Sequence, residues 1–124
     1  MSRLPGQGIE EYAREIVGIQ VSERARRALE ALAPGGDLAG SIEAVALDAL
    51  RLRLRQCVDE IGSFEARYGA TFEQWATDWQ AGAIPDARSH GVERDYMEWE
   101  ALTMERQELL GLIREFTVAP RAAV

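Results

Sequence analysis

Residues 17–33 read "VGIQVSERARRALEALA", and their first five positions decide between two folds. Val17, Ile19 and Val21 alternate with Gly18, Gln20 and Ser22, the period-two pattern of a strand with one buried face. Upstream, Ile9, Tyr12, Ala13, Ile16 and Val17 share one helical face, so residues 9–17, "IEEYAREIV", also fit a helix. The β-branched residues and the internal glycine favour a short strand over 17–21. Beyond it the reading is simpler. Ser22 stands where a helix cap belongs, Ala25, Ala28, Leu29 and Leu32 make an apolar stripe, and "APGG" stops the helix.

Ser41 is the expected cap of a second, long helix. Leu47, Leu50, Leu54, Cys57, Ile61, Phe64 and Tyr68 recur at three-four spacing, a heptad-like seam. Ile42, Val45, Ala46 and Ala49 widen its start. Gly62 is expected to loosen the helix midway and Gly69 to end it. Thr71 then opens "TFEQWATDWQAG" with a capping box, Gln74 standing three residues on. After the loop "AIPDARSHG", a last helix over 91–116 carries Val92, Tyr96, Trp99, Leu102, Leu109, Ile113 and Phe116 along one side.

Strand, helix, turn, helix over 17–56 resembles a ribbon–helix–helix (Arc/MetJ-like) DNA-binding unit, in which two chains pair their strands antiparallel. The resemblance implies a homodimer. It also implies that Gly18, Gln20 and Ser22 face base edges, with glutamine suited to adenine. The backbone N–H groups after Ser41 would face a phosphate, and Arg24, Arg26 and Arg27 further phosphates.

The charge is uneven along the chain. Residues 71–116 hold ten acidic residues against four arginines, whereas 1–40 hold six against five and 41–70 five against four. Nearly all of the net −7 therefore lies in the C-terminal third, which argues against a chain that binds nucleic acid throughout. All fourteen cations are arginine. Cys57 is the single cysteine, so neither an intrachain disulfide nor a cysteine-rich zinc site can form. The start "MSRLPGQG" lacks an apolar signal core and no run approaches membrane-spanning length, which makes the cytoplasm the expected compartment and excludes a membrane partner.

Chemistry finds little support. His90 with Glu93 and Asp86 lacks a second ligand arm, so no metal or other cofactor is expected. Asp95 and Glu98 share a helical face beside Arg94 while Glu100 points elsewhere, the pattern of a salt-bridged helix and not of paired acid–base carboxylates. Cys57 lies on the apolar seam as a small core residue. The chain is expected not to be an enzyme. Trp75, Trp79, Tyr96 and Trp99 remain, crowded into an acidic segment. Tryptophan and tyrosine dominate interface hot spots, and surrounding acids steer a basic partner.

"RYGATFEQW", then "AIPD", then "SHGVERDYMEWEAL" is similar to a C-terminal segment of small prokaryotic antitoxins from toxin–antitoxin modules. Phe72, Trp75, Asp95, Tyr96, Trp99 and Glu100 match that segment, and Trp79 and Glu98 stand beside them. The resemblance implies a protein whose C-terminal part binds and neutralises a basic, RNA-targeting toxin and whose N-terminal dimer represses its own operator. The expected architecture is mainly α: a disordered leader (1–8), a dimeric ribbon–helix–helix-like part (9–69), an acidic aromatic helical pair (70–116) and a tail (117–124). The alternative is a helical adaptor or structural protein that dimerises through the 47–68 seam and binds no DNA.

Overall fold

The computed structural model describes residues 20–118. Its helices are α1 (Glu23–Leu32), α2 (Leu38–Tyr68), α3 (Phe72–Gln80) and α4 (His90–Thr117). The chain divides into two compact units, Met1–Ala46 and Leu47–Val124.

The strand expected over 17–21 is not found among the described residues. Positions 17–19, with Gly18, lie outside them, as do the leader and most of the tail. Gln20 and Val21 belong to no strand and lead directly into the cap of α1. A strand is held by a ladder to a neighbour, and no described segment supplies one. The ribbon–helix–helix architecture is therefore set aside.

In the first unit the Ser22 hydroxyl accepts from the Ala25 N–H at 3.1 Å, as its cap position requires. None of the residues of α1 is buried, and Leu32 is 67% exposed. The second cap differs from expectation. Asp37 Oδ1 accepts from the Gly40 N–H at 2.8 Å, and α2 starts at Leu38. Asp37 brings a carboxylate directly after the Pro-Gly-Gly break, so the helix starts three residues before Ser41. Ser41 lies inside the helix, buried, with its N–H bonded to Asp37 O at 3.0 Å and its hydroxyl donating to Ala33 O at 3.1 Å.

The second unit is an antiparallel pair, α2 from Leu47 onward against α4, with α3 packed at one end. Arg53 meets Glu105, Cys57 meets Leu102, Phe64 and Tyr68 meet Trp99, and Arg67 meets Asp95. The descending α4 numbers fix the direction. The seam read from the sequence is thus used within the chain, Cys57, Ile61 and Phe64 being buried against Trp75, Trp99 and Leu109. Helix α2 continues through Gly62, and Gly69 ends it with φ +65°, a left-handed turn that glycine makes without a Cβ clash. Thr71 and Gln74 form the capping box reciprocally, each bond 3.2 Å. Ser89 caps α4 through the Val92 N–H at 3.4 Å.

Candidate functional site

Seven aromatic side chains from α2, α3 and α4 form one cluster. Trp99 lies at its centre, 0% exposed, with ring centroids 5.6 Å from Phe64, 5.7 Å from Tyr68, 5.5 Å from Phe72 and 5.3 Å from Trp75. Tyr68 meets Trp75 at 4.7 Å, and Tyr96 meets Trp79 at 4.7 Å. Centroid separations of this size with tilted rings add to area burial. Phe72, Trp75, Trp79, Tyr96 and Trp99, named above as partner-binding, are thus brought together in one cluster, Trp75 and Trp99 in the core and Phe72, Trp79 and Tyr96 packed half-buried against it. Trp75 and Trp99 present almost no surface to anything outside.

Two polar clamps fasten α2 to α4. The Arg53 guanidinium forks onto Glu105, Nε to Oε2 at 2.7 Å and Nη2 to Oε1 at 2.5 Å. The bidentate arrangement is the strong form of this pair, and the hydrogen bond from Arg53 holds the Glu105 carboxyl below its ordinary range. At the other end Asp95 Oδ2 accepts from Arg67 Nη1 at 2.8 Å and from the Tyr68 hydroxyl. Burial pushes the Asp95 carboxyl up, but these two donors and the Arg67 charge outweigh it, so the group ends below its usual value. Asp95 is thus an internal fastener, not a carboxylate free for a partner.

Cys57 is fully buried and donates its S–H to Leu102 O at 3.1 Å. Burial raises its thiol pKa, and thiolate is the reactive form. A thiol-reactive dye at neutral pH should therefore label the native chain far more slowly than the chain in denaturant, which mass spectrometry can follow. Rapid labelling of native protein would place Cys57 outside the core. His90 stands exposed at the start of α4, and among the described residues no group of three metal-ligating side chains comes together.

The exposed side of α4 carries a feature the aromatic residues drew attention away from. Met97 and Met104, seven apart, are 69% and 67% exposed, with exposed Ala101 between them on the same stripe. Glu93, Glu98, Glu100 and Glu108 surround this strip, all exposed, with Arg94 as the nearest base. Ala101 and Glu98 also line an open cleft of about 510 Å³ between α2 and α4, whose other walls include Glu60 and Phe64 and no residue of α3. Of the acidic residues named from the sequence, Glu98 and Glu100 are on this surface. The two methionines were legible as apolar residues out of phase with the Tyr96–Trp99 stripe.

The DNA-directed residues that are described all belong to the first unit. Gln20 is in no strand, the Ser22 hydroxyl is occupied as a cap, and Ser41 is buried. Arg24, Arg26 and Arg27 are exposed on α1. Comparison with protein-family models, curated proteins and solved structures finds no match for the chain.

Proposed function

We propose that the chain is an antitoxin-like binding protein, acting in the cytoplasm without catalysis, that captures and neutralises a basic, RNA-targeting toxin. The observation that carries this reading is the exposed Met97–Ala101–Met104 strip set among glutamates. Exposed methionines adapt to varied apolar surfaces, and an acidic surround draws a cationic partner and slows its escape. The C-terminal location of the negative charge supports the same reading. The recognition surface is the outer side of α4, while Trp75, Tyr96 and Trp99 hold that helix in place. No helix among the described residues is long and apolar enough to cross a membrane.

The test is growth rescue. The product of the neighbouring gene is expressed alone and should arrest growth; co-expression of the chain should relieve the arrest. Reversing charge with Glu98→Arg and Glu100→Arg, together with Met104→Ser, should abolish relief while the variant keeps its helix signal and accumulates normally. Relief unchanged by the triple variant removes the α4 surface from the function. Absence of any arrest by the neighbouring protein removes the antitoxin reading itself.

A further inference from the structure

The open cleft between α2 and α4 sets an apolar floor beneath charged walls. Phe64, buried, and Leu102, half-buried, supply the floor, with Ala101 at its edge. Its volume of about 510 Å³ lies inside the range of about 300–1,000 Å³ common to ligand-holding clefts. All of its lining residues belong to the second unit.

The walls are acidic on balance. Arg53 and Glu60 line the cleft from α2, Glu98 and Glu105 from α4. Arg53 is engaged by Glu105 through both of its forked hydrogen bonds and approaches Glu60 only to 3.9 Å. One guanidinium thus serves three carboxylates, and Glu98 has no ion pair among the described residues. Charges outside the lining do not reverse the balance. On the same turns of the two helices Arg51, Arg55, Arg94 and Arg106 are matched in number by Asp59, Glu65, Glu100 and Glu108, and none of these lines the cleft. Arg67 and Asp95 are bound to each other. The space therefore offers an apolar bed and two carboxylates, Glu60 and Glu98, from facing helices. A long basic side chain has the matching form, an apolar stem ending in a cation, and the arginine fork suits two carboxylates better than the lysine point charge does.

We propose that this cleft receives an arginine side chain of a partner protein, its stem on Phe64 and Leu102 and its guanidinium between Glu60 and Glu98. On the reading of a basic partner, on which this rests, one of its cations is held directly beside the methionine strip, because Ala101 and Glu98 belong to both surfaces. A second copy of the chain is the poorer occupant. In a two-fold contact the same patch meets itself, which would set Glu60 and Glu98 against carboxylates.

The test uses the full chain, isotopically labelled, and two short capped alanine peptides. One carries a central arginine, the other citrulline, which keeps the stem and the planar head but has no charge. The arginine peptide should shift the backbone amide signals of Ser63, Phe64, Ala101 and Leu102 saturably and bind at least about threefold tighter than the citrulline peptide, as exposed ion pairs allow. Added salt should erode the difference. Glu60→Gln with Glu98→Gln should abolish it while circular dichroism and the thermal midpoint stay unchanged. Equal response to the two peptides, response to neither, or a difference that survives the double variant overturns the proposal. Shifts confined to Met97, Met104 and their neighbours overturn it too, yet leave the basic-partner reading standing; that reading fails separately, when the neighbouring gene product arrests no growth. Displacement of the arginine peptide by micromolar spermidine makes the cleft a polyamine site, and a dimer that separates on Glu60→Arg makes it a contact between copies. Either result contradicts a partner's arginine.

Discussion

Trp99→Ala is expected to destabilise the chain by about 3–5 kcal/mol, the range for removing a buried aromatic side chain from a packed core. Trp99 is 0% exposed and four other aromatic rings rest on it, two from α2 and two from α3. Its removal leaves a cavity where those elements meet, and the rings cannot all collapse into it without giving up their mutual contacts. Domains of this size are stable by only about 5–15 kcal/mol, so a large share of the total is at stake. Urea denaturation followed by circular dichroism would read the loss as a lower midpoint. Trp99→Phe separates packing from polarity. The indole N–H of Trp99 is buried without a partner, and an unpartnered buried donor is itself costly. Phenylalanine keeps most of the ring and deletes that donor, so it should cost much less than alanine. If Trp99→Ala left the midpoint in place and weakened only partner binding, the residue would be an interface anchor and not core.

Asp95→Ala is the second large effect, at about 2–3 kcal/mol, the range for hydrogen bonds made to a buried charged group. Its carboxylate is mostly shielded, with 16% of the side chain exposed, and it accepts from both Tyr68 and Arg67. Losing it frees the Tyr68 hydroxyl beneath α3 and unfastens that end of α2 from α4. The same group gives a pH dependence of definite sign. Asp95 is depressed in the folded chain below its ordinary value of 3.8. Its contribution is therefore complete above that value and is lost as the pH falls through the lower folded value. The gap in thermal midpoint between the native sequence and Asp95→Ala should be constant near neutral pH and close only in strong acid. A gap that closed already between pH 7 and 5 would assign the stabilisation to another group.

Much of the helical architecture was legible because its signals are local. Thr71 with Gln74, Gly69, and the recurrence from Leu47 to Tyr68 each specify a start, a stop or a buried side within a few residues, and each is found in place. The strand over 17–21 was misread for the opposite reason. Alternation records a possible buried side, but a strand also needs a partner, which no local pattern supplies. The cap of α2 was misplaced between two competent cap residues. Asp37 prevailed because "LAG" offers no break strong enough to delay the helix, and Gly40 leaves room for its carboxylate, which a Cβ there would approach to 2.9 Å. The candidate site was half legible. Aromatics in an acidic segment pointed to the right helix, but Tyr96 and Trp99 face inward, while Met97 and Met104 lie on the other side of the same turns. Whether Trp99 finds enough neighbours within its own chain depends on α2, thirty-one residues earlier at Tyr68, and such distance carries no sequence signature.

The most direct measurement is hydrogen exchange of the free chain, read at the Trp99 indole N–H and at the backbone amides of α4 on either side of it. A core formed without a partner predicts strong protection at these sites, with opening free energies close to that of global unfolding. Exchange as fast as in an unfolded peptide, with protection appearing only once a partner is added, would contradict it and return Trp75, Tyr96 and Trp99 to the interface.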